Sequence, residues 1–149
     1  MNLSTHFTLA EFVESDTGAR RGIDNTLPND LLPAAQATAQ MLERIRSELG
    51  DKPIIVTSGY RCAELNAAIG SKRSSDHIKA MAVDFKCPGF GTAYDVARFL
   101  AGRIDTLGIG QIIHEWNTWI HCSTRIPEKI VNRVITINKT GTHAGVQRA

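Results

Sequence analysis

The chain has 149 residues, 42% of them hydrophobic and 21% charged, which suits one domain with a real core and is short for two. A net charge of +2 spread over scattered basic residues, with little aromatic interleaving, sets nucleic-acid binding aside. No apolar run approaches the ~20 residues of a membrane span, and three cysteines without a C-x-x-C pair read as reduced, mostly buried thiols.

The opening "MNLSTHFTLAEFVESDTG" has neither a basic start nor a long apolar stretch. The expectation is synthesis in the cytoplasm without a secretory signal, so that an extracytoplasmic target requires another release route.

In chain order, Thr8 and Glu11 stand at capping-box spacing and predict a short helix near residues 9–14. "SDTGARRGIDNTLPND" is polar and turn-rich and reads as a surface loop. From Asp30 to Leu49, Leu31, Ala35, Leu42, Ile45 and Leu49 recur at helical spacing, and Gly50 supplies a stop. "PIIVTSGY" reads as a buried strand, and "CAELNAAIG" as two helical turns closed by Gly70. A polar loop leads into "MAVDF", where Met81, Val83 and Phe85 share one face and Ala82 and Asp84 the other. Thr92 and Asp95 open another helix. "GIGQIIHE" and "WIHCS" are strands around a turn at Asn117, with Ile120 and Cys122 on one face and Trp119, His121 and Ser123 on the other. "RVITIN" is a last strand, and the stretch from Thr140 lacks apolar anchors and is expected to fray. The pattern predicts a single α+β domain over 1–149, with its core at about 7–138 and a small, mainly antiparallel sheet flanked by helices.

Asp84 raises a specific question, because a bare carboxylate beside a core is costly to bury. With His77 and His121 it makes two imidazoles and a carboxylate, a donor set suited to a catalytic zinc with one position left open, on the face of the sheet. The same three residues also suit plainer roles: a solvated loop histidine, a cap or ion-pair aspartate and a hydrogen-bonded strand histidine. Spacing alone leaves both open.

The stretch "SDHIKAMAVD" resembles the Ser-x-His-x-x-Gly-x-Ala-x-Asp motif of the zinc D-Ala-D-Ala carboxypeptidase-like peptidases, which include cell-wall peptidases and phage endolysins. "FTLAEFVESDTGARRGIDN", "TSGYRCAELNAAIG" and "WIHCS" are similar to further blocks of that family, from about Phe7 to Thr124. The resemblance implies that His77, Asp84 and His121 hold Zn2+, that Arg61 faces the substrate, and that Ser75 steadies the loop or the substrate. Ala80 replaces the family's glycine and costs roughly 1 kcal/mol of strain if the turn needs a positive φ. Some relatives carry an acid three residues before the last histidine ligand; Thr118 stands there and cannot act as a base.

The acidic candidate for the proton shuttle is Glu115, at the end of "GQIIHE", with His114 as the neighbour to exclude. Strand parity alone does not say which of the two meets the metal. Cys122 is expected to turn from His121 into the core, Asp76 to be a solvated bystander, and His6 and His143 to be solvated near the termini. The function implied is a zinc peptidase acting on peptidoglycan stem peptides or cross-links, of phage endolysin type, monomeric and waiting in the cytoplasm until release. The alternatives are a zinc-containing binding module without turnover and a phage virion component. A base favours the enzyme, because a binding module has no use for one.

Overall fold

The computed structural model describes residues 1–148. Helix α1 (Leu9–Val13) begins at Thr8, whose hydroxyl accepts from Glu11 N–H while Glu11 reaches back to Thr8 N–H. The polar stretch that follows holds a helix where a loop was expected. In α2 (Asp16–Arg21), Ser15 caps the start and Gly22 closes the end at φ +64°. Both signals stand in the sequence, but Gly18 between them reads as a turn. A 3-10 turn at Asn29–Leu31 leads into α3 (Leu32–Glu48), which buries Ala35, Ala39, Met41, Leu42 and Ile45 along one stripe.

Strand β1 (Ile55–Ser58) pairs only with β2 (Ala82–Lys86), so it is an edge strand and not the buried one expected; Ile55 is 52% exposed. An apolar run reports strand propensity, not the strand's place in the sheet. Helix α4 (Ala63–Ile69) ends at Gly70, and α5 (Ala93–Ala101) starts from a capping box at Thr92 and Asp95. Strands β3 (Gln111–Glu115) and β4 (Trp119–Ser123) form a hairpin through Trp116 and Asn117, both at positive φ. Strand β5 (Val134–Asn138) runs parallel to β3.

The expected frayed end is instead strand β6 (Gly141–Ala144), paired antiparallel to β5. Val146 packs on the core, and Thr136 Oγ1 binds Gly145 O and Gln147 N at 2.8 and 2.9 Å. Backbone pairing anchors this segment, and hydropathy does not register backbone pairing. His6 is also tied down, with Nδ1 2.7 Å from Glu43 Oε1 on α3.

The sheet order is β1-β2-β4-β3-β5-β6, and only the β3–β5 pair is parallel. Val83, Phe85, Ile112, Ile120 and Cys122 join the buried stripes of α3 and α5 in one core. That leaves the opposite faces of β2, β4 and β3 to carry other residues. Among the described residues no helix is long and apolar enough to cross a membrane.

Candidate metal centre and cleft

Register decides what meets on the free face. Asp84 pairs with His121 across β2 and β4, and His121 pairs with Ile113 across β4 and β3. Directly opposed residues project the same way, and period-2 alternation then puts Glu115 on this face and His114 on the other. His114 is fully buried there, between Gln147 O and Asn117 Oδ1, each 3.1 Å from a ring nitrogen.

His77 arrives from a 3-10 turn, Asp76–Lys79, capped by Ser75, whose hydroxyl accepts from His77 N–H at 3.3 Å. The turn ends at Ala80 with φ +58° and ψ +24°, the left-handed conformation expected of the position where relatives have glycine. Thr38 Oγ1 of α3 donates to Ala80 O at 2.7 Å, which helps hold the strained turn in place. His77 Nδ1 donates to Gly59 O at 2.6 Å, which turns Nε2 toward the site and Asp84. Gly59 itself packs tightly on α1, since a Cβ there would lie 2.5 Å from Phe12 O.

The result is a tight triad. His77 Nε2 lies 3.2 Å and His121 Nδ1 2.9 Å from the same oxygen, Asp84 Oδ1. All three donor atoms lie within 4.8 Å of one another, and all three residues are buried. Tetrahedral zinc bonds of ~2.0–2.1 Å put neighbouring donors about 3.3 Å apart, close to the two histidine–aspartate spacings of 3.2 and 2.9 Å.

Electrostatics agree with a site that gathers positive charge. Burial opposes ionisation of Asp84, but His77 and His121 outweigh it and hold the carboxyl well below its ordinary range. Burial pushes His77 down. On His121 it is outweighed by the hydrogen bond and charge of Asp84, with Glu115 and Asp76 beyond, and the pKa rises.

The triad forms the floor of a cleft of about 800 Å³ that also includes Arg61, Ser75, Glu115 and Trp119. Glu115 Oε1 is 4.0 Å from His121 Nδ1, and burial followed by repulsion from Asp84 raises its carboxyl pKa. Arg61 is 9% exposed, and its donors go to Ser58 Oγ, Asn66 Oδ1 and Asp84 Oδ2. It therefore braces the free oxygen of Asp84 from below the cleft.

Residues 5–123 match the family described as Peptidase M15. The chain belongs to the peptidase M15 family. Members are zinc-dependent peptidases, and the His77, Asp84 and His121 group gives this M15 chain a place where a metal ion can sit. No curated protein matches the chain.

Two further residues line the cleft, Asp76 and Arg125. Asp76 is no solvated bystander: it is 5% exposed, accepting from Ser123 Oγ at 2.8 Å and Arg125 Nε at 2.7 Å. No periodicity could have placed it, because it opens a single 3-10 turn, Asp76–Lys79, too short to show one. Arg125 had a signal, for it continues the alternation Trp119, His121, Ser123 past the end of β4. Cys122 faces away from His121 and is fully buried, as expected, and Cys62, Cys87 and Cys122 are free thiols.

Proposed function

We propose that this M15 peptidase uses His77, Asp84 and His121 to hold zinc and hydrolyses peptide bonds in peptidoglycan stem peptides or cross-links. The observation that carries the proposal is Glu115, an acid on the same face as the triad and 4.0 Å from His121. When bound, zinc supplies Lewis acidity, polarising a carbonyl and acidifying water.

The chain's own residues do the rest. Glu115 takes the proton of the attacking water and returns it to the leaving amine; its raised pKa suits both halves of that task. Arg61 holds Asp84 in place and presents positive charge beneath the oxyanion that forms on the scissile carbonyl. Ser75 fixes the turn carrying His77 and borders the substrate cleft.

An endolysin-type lytic role, with release from the cytoplasm onto the wall as a monomer, belongs to the same proposal. It is supported by the resemblance of the motif blocks to phage cell-wall enzymes.

The test combines metal analysis with digestion of purified peptidoglycan. Wild-type protein is expected to carry about one zinc and to release fragments whose masses identify the bond cut. Glu115→Ala keeps the metal and loses activity; His121→Ala loses both. A fully active Glu115→Ala protein removes Glu115 as the proton shuttle.

A further inference from the structure

The triad is not central to its own cleft. On the site face, Glu115 and Trp119 form one row, His121 and Ile113 the next, and Ser123 and Gln111 a third. Rows two residues apart are separated by about 7 Å. The third row therefore lies on the side of the metal ligands away from Glu115, and the cleft continues over it to Gln111, Arg125 and Asn132.

Arg125 is built into this end. Its backbone N–H donates to Ser123 Oγ at 3.1 Å, and its Nε to Asp76 Oδ1 at 2.7 Å. Gly110 lets the chain cross closely, since a Cβ there would lie 2.3 Å from Arg125 O. The side chain is 41% exposed, and only Nε is engaged among the described residues. Its two terminal nitrogens are free, whereas Arg61, the other arginine of the cleft, spends all three nitrogens on protein acceptors. Glu128 is the other acid near Arg125, but it is exposed, and such pairs are weak. Lys72, from the loop after α4, adds positive charge to the cleft lining.

An arginine pinned through Nε by a buried carboxylate presents a fixed two-nitrogen fork. That geometry matches a carboxylate and spares the ordering entropy of a free side chain. We propose that Arg125 forms a carboxylate-binding subsite of the cleft, taking an anionic group of the peptide about two residues, or ~7 Å, from the bond cut. This rests on reading the cleft as a peptide site. It also lies outside the family match, which stops at residue 123. In a stem peptide the carboxylate has two sources, the α-carboxylate of the γ-linked D-glutamate and the free C-terminus.

The test uses zinc-loaded Glu115→Gln protein, so that peptides bind without being cut, and isothermal titration calorimetry. Three stem peptides are compared: the free acid, the D-glutamate α-amide and the C-terminal amide. One amide is expected to bind roughly tenfold more weakly than the free acid, and that amide names the source. Adding Arg125→Gln brings the ratio to about one. Arg125→Lys, which keeps a charge opposite Asp76 should the glutamine variant not fold, reduces the ratio without abolishing it.

Equal binding of all three peptides, no binding of any, or a ratio unchanged in the Arg125 variants overturns the subsite. Hydrolysis by wild-type protein is scored separately. Carboxylate preference without turnover removes the peptidase proposal and keeps the subsite, and turnover without preference does the reverse.

Discussion

Replacing Asp76 with alanine separates a buried anchor from a solvated loop residue. In the structure its carboxylate is 5% exposed and accepts two hydrogen bonds. The bond from Ser123 Oγ is fully buried and charge-assisted, a type worth about 1.5–3 kcal/mol. The Arg125 pair is discounted to at most about 1 kcal/mol because that side chain is 41% exposed. Ser123 Oγ still accepts from Arg125 N–H at 3.1 Å in the variant, so only its proton loses a partner. The sum is about 1.5–4 kcal/mol of lost stability, or a Tm lower by roughly 5–12 °C for a chain of this size.

Urea unfolding followed by circular dichroism, with chelator in both samples, measures this without metal linkage through the neighbouring His77. Asp76→Asn keeps the shape and one acceptor and is expected to lose about 1 kcal/mol. A loss below about 0.5 kcal/mol for Asp76→Ala is ordinary surface behaviour and refutes the anchoring role.

Ala80→Gly relieves about 1–2 kcal/mol of left-handed strain but gives up about 0.4–1 kcal/mol of chain entropy and ~0.8 kcal/mol of methyl burial. Its thermal midpoint should therefore correspond to within about 1 kcal/mol of wild type, and a loss above 2 kcal/mol shows that the methyl matters more than the strain. Ending the chain at Asn138 removes β6 and strips partners from Thr136 and buried His114, for a loss of at least about 2 kcal/mol in urea; an unchanged midpoint contradicts that anchoring. Glu115 has a folded pKa above its unfolded one, so its ionisation costs native stability as pH rises through the folded value. Metal-free Glu115→Gln should gain stability over metal-free wild type as pH rises from 4 to 8, by less than full burial implies because the side chain is 20% exposed. A gap that is constant with pH contradicts the raised pKa.

Much of this protein was legible in local chemistry. Capping boxes at Thr8 and Thr92, the glycine stop at Gly70 and the apolar stripe of α3 are local signals, and each appears as a helix boundary or face. Alternation in "MAVDF" and "WIHCS" separated Val83, Phe85, Ile120 and Cys122 from Asp84 and His121, because strand side chains have a strict period of two.

What the sequence could not decide was which strands lie beside which. Parity left Glu115 and His114 undecided, and the pairing of Ile113 with His121 put Glu115 on the face of the triad. Local polarity misjudged α2, and hydropathy misjudged β6, which is held by backbone pairing to β5. It misjudged Asp76 for a related reason: the residues that make this carboxylate an anchor, Ser123 and Arg125, lie 47 and 49 positions away. By itself the sequence determined the capped helices α1 and α5, the stripe of α3, and the faces of the strands that carry Asp84 and His121. The tertiary structure decided their company, because contact across a sheet depends on register and strand order, which no local pattern encodes.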